Sequence, residues 1–220
     1  GWHCLEVGAG AGSIMRWMAE IVGESGEVVA VDLNTRFLKE TQPAHVKVLE
    51  TDIRDLTSEL AFDLIHARYV LIHIQDFQTA LSKMMALLKP GGWLVVEEPD
   101  FIAARAIVGE HSESVDRING AIVKMYLDRG IDPALGAKLP AIFQQLELQS
   151  VTIETDVSLS NGGSGVATVM KLSARQLAEK YLATGEINQQ DIEHYCSFAE
   201  DPTAWAVYYT TVGIIAQKKL

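Results

Sequence analysis

The chain is short of cysteine, of positive charge and of long apolar runs, and each shortage removes a class of protein. Cysteine occurs only as Cys4 and Cys196, with the spacing of neither a metal site nor a redox motif. A disulfide scaffold is thereby excluded, and the expected setting is cytoplasmic, with both thiols reduced. Lys and Arg number 18 against 29 Asp and Glu, a formal net charge of −11. Such a surface repels phosphate backbones and has few cations to exchange for counterions, so no nucleic-acid partner is expected. No uninterrupted apolar segment reaches the roughly 18 residues of a spanning helix, so no membrane span is expected either. The His and acid spacings assemble no metal set. A basic n-region with an apolar segment behind it is missing, and so is an initiating methionine. With a glycine-rich loop only a few residues in, the expectation is a chain trimmed at its N-terminus.

What remains is ample apolar material, 48% of 220 residues, enough for one α/β domain with a substantial core. In the first half, strands and helices alternate. Residues 2–7 read as a strand running into Gly8-Ala9-Gly10-Ala11-Gly12. Ser13 can cap a helix whose Ile14, Trp17, Met18, Ile21 and Val22 share one face, with Gly23 ending it. Residues 27–32, valine and alanine before a terminal acid, suit a parallel strand covered on both faces. Asn34 can cap a further helix that Pro43 stops. Residues 46–51 and 62–67 read as strands three and four, and residues 76–88 as an amphipathic helix. Lys89-Pro90-Gly91-Gly92 then turns the chain into a fifth strand over residues 93–97. This rhythm predicts an α/β fold with a doubly wound, mostly parallel sheet.

The second half is less regular. It reads as helices over 112–128 and 137–146, a strand over 149–159, helices over 167–184 and 189–200, and a closing strand over 205–217. A helical insertion at about residues 101–136 is expected after strand five, within a single domain covering 1–220.

The glycine loop carries the most information. Glycines at a strand-to-helix turn let a ligand approach the backbone and meet its amides. A dinucleotide fingerprint needs glycine at position 13, where Ser13 stands; the third glycine comes one residue early. Glu6, just before the loop, is awkward beside a pyrophosphate and suits a cationic amino group. Asp32 ends the second strand, where a carboxylate can accept both ribose hydroxyls. Asp52, after the third, suits an exocyclic adenine amine. Three acids at neighbouring strand ends favour a sulfonium nucleoside over a nucleotide.

Residues 6–12 resemble motif I of class I S-adenosylmethionine-dependent methyltransferases. Val31-Asp32 resembles the acidic end of their second strand, and Thr51-Asp52-Ile53 their adenine-contacting motif. Leu87-Leu88-Lys89-Pro90-Gly91-Gly92 is similar to their turn before strand five. The resemblance implies a seven-stranded Rossmann-like sheet with its last strand antiparallel, and S-adenosylmethionine as cofactor. It implies methionine contacts at the loop (Gly8, Ala9, Gly10, Gly12), ribose contacts at Asp32, and adenine contacts at Leu33, Asp52 and Ile53. Arg68 would approach the methionine end through its main chain. Residues 68–73 also resemble the corresponding segment of small-molecule methyltransferases, including relatives of quinone-pathway enzymes, so a small-molecule acceptor is expected.

Methyl transfer from a sulfonium is an in-line displacement that chiefly needs alignment and dryness. A base is required only for a protonated acceptor, and His73, after strand four, is the candidate. Glu97, Glu98 and Asp100 follow strand five, where an acid can orient an acceptor or face water. His111 and His194 are expected on the solvent side of polar helices, and Tyr126, Tyr208 and Tyr209 in packing roles. The competing readings are a nicotinamide-dependent reductase, which the early third glycine and Glu6 disfavour, and a non-catalytic module that keeps only the nucleoside site.

Overall fold

The computed structural model describes residues 1–38 and 42–220. The chain divides into two compact units: residues 1–98, 139–154 and 213–220 form the first, and residues 99–138 and 155–212 the second.

In the first unit, β1 (His3–Val7), β2 (Glu27–Asp32), β3 (Val46–Glu50), β4 (Phe62–Arg68) and β5 (Leu88–Asp100) carry the parallel part of the sheet. Counting β6 (Arg105–Val108), β7 (Leu148–Asn161) and β8 (Trp205–Lys218), the described residues form eight strands in the order β3-β2-β1-β4-β5-β8-β6, with β7 also on β8. The order reverses beside β1, which places the carboxyl ends of β1, β2 and β4 around one crevice. β6 is the strand beyond the seven expected. It pairs antiparallel with β8 and lies in the segment expected to be helical.

β2 is buried through Val28, Val29, Ala30 and Val31, as a parallel strand covered on both faces must be. Helix α1 (Ser13–Val22) differs from expectation. Its N-cap is Gly12 in the left-handed region, Ser13 makes no cap bond, and the buried residues are Met15, Met18, Ala19 and Val22. Trp17 and Ile21, expected inside, are 56% and 69% exposed. Starting the helix from Gly12 selects the 15-18-19-22 stripe, one helical face at the i, i+3, i+4, i+7 spacing. A side chain at Gly12 would meet Leu38 Cδ2 at 2.6 Å, so the early third glycine answers to packing. Asn34 accepts a hydrogen bond from Arg36 N and heads a short 3-10 turn, Thr35–Leu38. The rest of the helix expected before Pro43 falls on residues 39–41, outside the described ones. Helix α2 (Phe77–Leu87) is capped by Asp76, and β5 begins at Leu88, so the Lys-Pro-Gly-Gly segment lies within the strand, beside a register shift against β4. Lys218 Nζ on β8 donates to the carbonyls of Met85 and Leu88.

The second unit contains α3 (Ser112–Asp128), α5 (Gly165–Gln176), α6 (Ala178–Leu182) and α7 (Gln189–Glu200); α4 (Leu135–Phe143) runs from one unit's residues into the other's. The helix expected over 167–184 is interrupted at Leu177. Asn188 and Asp191 form a reciprocal capping box at the start of α7. Asp191, 2% exposed, also receives Arg117 of α3 at 2.5 Å, tying the two helices together. His111 and His194 are half-buried rather than fully exposed. Their rings stack at 3.9 Å, and His194 Nδ1 lies 3.1 Å from Ser114 Oγ. Tyr126 stacks on Phe101, which meets Tyr209 edge-on, and Tyr208 packs edge-on against Tyr195. Among the described residues no helix is long and apolar enough to cross a membrane.

Candidate functional site

The strand ends of the first unit surround a cavity of about 580 Å³. β1 and its loop contribute Val7, Gly8 and Gly10; β2 contributes Asp32 and Leu33; the segment after β3 contributes residues 51–54. The fourth wall is the segment after β4, through Tyr69, Val70 and residues 73–75.

Asp32 organises the near side. Its Oδ2 accepts from Gly10 N at 2.8 Å and its Oδ1 from Asn34 N at 2.9 Å. A carboxylate offers about four lone-pair sites, so two acceptor positions remain after the loop is held. Gly8 has φ +70° and a close neighbour: a Cβ there would lie 2.3 Å from Val70 Cγ2. Glycine is thus demanded twice, by the backbone conformation and by the opposite wall. Leu33 is 71% exposed and Ile53 only 4%, so an open and a buried apolar residue stand on the cavity margin.

Asp52 is engaged by a residue that the sequence reading passed over. Arg54 reaches it through Nε at 3.0 Å and Nη2 at 2.7 Å, and Arg54 N donates to the same carboxylate at 2.8 Å. These bonds hold the Asp52 carboxyl below its ordinary pKa. A pairing two residues apart inside a 3-10 turn (Ile53–Asp55) depends on local backbone geometry that composition does not reveal.

Glu6 lies elsewhere than expected. It is 3% exposed, and its Oε2 meets His66 Nδ1 at 2.7 Å; what β1 presents to the cavity is Val7 and Gly8. His66 Nε2 lies 3.3 Å from Glu97 Oε2 on β5. Register explains the cluster: Glu6 stands opposite His66 and His66 opposite Val95, so Glu97, two residues on, shares their face. Burial opposes a charged ring at His66, but hydrogen bonds to the two carboxylates outweigh it and raise its pKa to about 9. The same bond holds Glu97 down, while burial pushes Glu6 up against the pull of His66. His66 was absent from the expected site; a histidine set among Leu64, Ile65 and Ala67 in a strand was the available signal.

Glu98 points to the opposite face and is fully buried. It neither faces water nor stands free to orient an acceptor: its carboxylate accepts from Val70 N at 3.0 Å, Leu71 N at 2.7 Å and Ile72 N at 3.2 Å. His73 ends that 3-10 turn, exposed and lining the cavity. Ala9, Gly12 and Arg68 do not line it. Ala9 and Gly12 pack beneath the loop, and the exposed Arg68 lies with its guanidinium 6.0 Å from the Tyr69 ring. Among the described residues no group of three or more His, Cys, Asp or Glu could hold a metal ion.

Residues 5–96 match the methyltransferase domain family. Methyltransferase str2 of Strobilurus tenacellus is 30% identical over 155 residues, 68% of this chain and 54% of that protein. The ubiquinone/menaquinone biosynthesis C-methyltransferase UbiE of Pseudoalteromonas translucida is 30% identical over 107 residues, 44% of this chain and 43% of that one. The chain thus spans about half the length of the curated relatives it matches. Among solved structures, phosphoethanolamine N-methyltransferase 2 of Haemonchus contortus with S-adenosyl-L-methionine aligns at TM-score 0.58 and 18% identity, over 100% of this chain and 49% of that chain. The N-methyltransferase NodS of Bradyrhizobium japonicum with S-adenosyl-L-homocysteine aligns at 0.52 and 15%, over 99% and 78%. At these identities the structural likeness is one of fold. The family match covers the strands and glycine loop that build the cavity, and with the relative 30% identical over 68% of this chain it identifies the chain as a member of the class I S-adenosylmethionine-dependent methyltransferases.

Proposed function

We propose that this chain binds S-adenosylmethionine in the cavity of its first unit and transfers the methyl group to a small-molecule acceptor. The observation that carries the reading is the meeting, in one cavity, of the Gly8 and Gly10 backbone with Asp32 and Asp52, the arginine that lines it, Arg54, being paired to Asp52. A nucleoside without phosphates fits such a lining, and a nucleotide does not. When bound, the cofactor supplies a methyl group on a sulfonium, an electrophile with a good leaving group. The chain's own residues do the rest by position. Asp32 accepts the ribose hydroxyls on its remaining lone pairs, Leu33 and Ile53 flank the adenine, and Asp52 accepts from its amine beside Arg54. Gly8 and Gly10, with Ala9 and Gly12 shaping the loop beneath, bring the backbone against the methionine portion, and Arg68 contributes through its main chain. Glu6 acts at one remove, through His66.

His73, exposed on the cavity wall, takes a proton from an acceptor that arrives protonated. The small-molecule class draws support from relatives named for quinone and phosphoethanolamine acceptors. An acidic chain with free, buried Cys4 and Cys196 fits the cytosol and disfavours a nucleic-acid substrate. Calorimetry with S-adenosylmethionine, S-adenosylhomocysteine and NADH tests the cofactor: both sulfur nucleosides bind and NADH does not. A tritiated-methyl screen over phenols, quinols, amines and carboxylates tests the acceptor class. Preference for NADH, or methylation of nucleic acid alone, overturns the reading.

A further inference from the structure

We propose that Glu98 is a positioning residue: its ionised carboxylate holds the Val70–Ile72 amides, and through them the cavity wall that carries Tyr69, Val70 and His73, so that protonating Glu98 loosens that wall. The geometry is specific. Three consecutive amides converge on one carboxylate at 2.7–3.2 Å, and the acid is 0% exposed. Such amides at the head of a short turn have no partner within the turn itself, so an anion is what orders them. The wall needs ordering, because Tyr69 has φ +57°, a conformation that an L residue keeps only when its surroundings enforce it. Tyr69 N is held by Glu97 O at 2.8 Å, so the adjacent residues of β5 grip the segment from two sides. Val70, next in the grip, is the residue that packs on Gly8.

Glu97 and His66 lie on the opposite face of the sheet from Glu98, whose carboxyl answers to its burial and to the three amides. Glu97 is already paired with His66. Burial raises the Glu98 pKa to about 7, with the three amides opposing it. Relative to an ordinary carboxyl, the folded protein therefore favours the neutral acid, and this group's contribution to stability is lost as pH rises from about 4.5 through 7. The wall responds in the other direction, being ordered when Glu98 is charged. Opposite signs for global stability and local order distinguish a positioning acid from a merely buried one.

The test begins with the wild-type protein. Between pH 8 and pH 6 the amide resonances of Val70, Leu71 and Ile72 should shift together, and their hydrogen-exchange protection should fall at least tenfold, while the β1 amides of Leu5–Val7 hold theirs. In Glu98→Gln the carbonyl oxygen can accept at most two of the three amides and the NH2 group opposes the third. Protection of residues 70–72 should be low at both pH values, with Glu98→Asp intermediate. The cofactor arm rests on the proposed function: S-adenosylhomocysteine should bind about tenfold more weakly to Glu98→Gln, the loss of one charge-assisted hydrogen bond. If the wild type binds no S-adenosylhomocysteine, the functional reading fails and the amide titration still decides the role of Glu98. Wild-type amides at residues 70–72 that neither shift nor lose protection across this range overturn the proposal, whether or not the variants fold.

Discussion

His66 Nδ1 lies 2.7 Å from Glu6 Oε2, inside the sheet, with both residues under 10% exposed. A buried pair of this kind is destabilised by about 3 kcal/mol when one partner is removed, because the other is left buried and unpaired. His66→Gln should therefore lower the unfolding free energy by about that amount near pH 6. The His66 pKa is raised from 6.5 to about 9 in the folded protein, so its contribution is full below 6.5 and is lost as pH rises through 9. Urea unfolding of wild type and variant at pH 6 and pH 9, read at a common m-value, should show the gap narrowing. A gap of equal size at both pH values would mean that the ring is neutral throughout.

Asp32 accepts from Gly10 N and Asn34 N, lines the cavity and keeps two acceptor positions. In Asp32→Ala the cofactor should bind roughly tenfold more weakly or worse, given about 1.5–3 kcal/mol for hydrogen bonds to a charged acceptor. The melting temperature should change little, since the carboxylate sits at a strand end outside the core. Calorimetry with S-adenosylhomocysteine on the folded variant is the check, and an unchanged dissociation constant would reduce Asp32 to a loop anchor.

Gly8→Ala puts a methyl group where Val70 Cγ2 already stands, at a backbone φ of +70°. The conformation alone costs about 1 kcal/mol, and the displaced valine adds to it. Cofactor affinity should fall more than stability does, and Gly8→Ala combined with Val70→Ala should recover part of the loss. If the double variant binds no better than the single one, the close approach to Val70 is not what demands glycine.

His73, exposed and on the cavity wall, is the residue proposed to take a proton. His73→Ala should slow single-turnover methyl transfer while leaving cofactor affinity nearly intact. The loss should appear with an acceptor that must give up a proton and vanish with one that arrives ionised. An acceptor with its own pKa well above the assay range is needed for the comparison. Retention of the full rate with a protonated acceptor would leave the chemistry to alignment alone.

The features legible in the chain are those that are local in it. Alternating strand and helix signals, a glycine loop after the first strand and acids ending the second and third are all written within short windows, and they carry the parallel sheet and the crevice residues Gly8, Gly10, Asp32 and Asp52. Helix faces were less legible: a capping serine and the apolar pair Trp17 and Ile21 pointed to one stripe of α1, but the left-handed Gly12 starts the helix and turns another stripe inward. The relations that register creates across strands come from the folded sheet alone. Glu6 and His66 are 60 residues apart, and Glu98 is 28 residues from the first amide it holds. Their meeting depends on which residue of β4 stands opposite which residue of β1 and β5. A one-residue slip would send Glu6, His66 and Glu97 to different faces, because side chains alternate along a strand. Spacing along the chain contains no record of that register; it is set by the packing of the whole sheet.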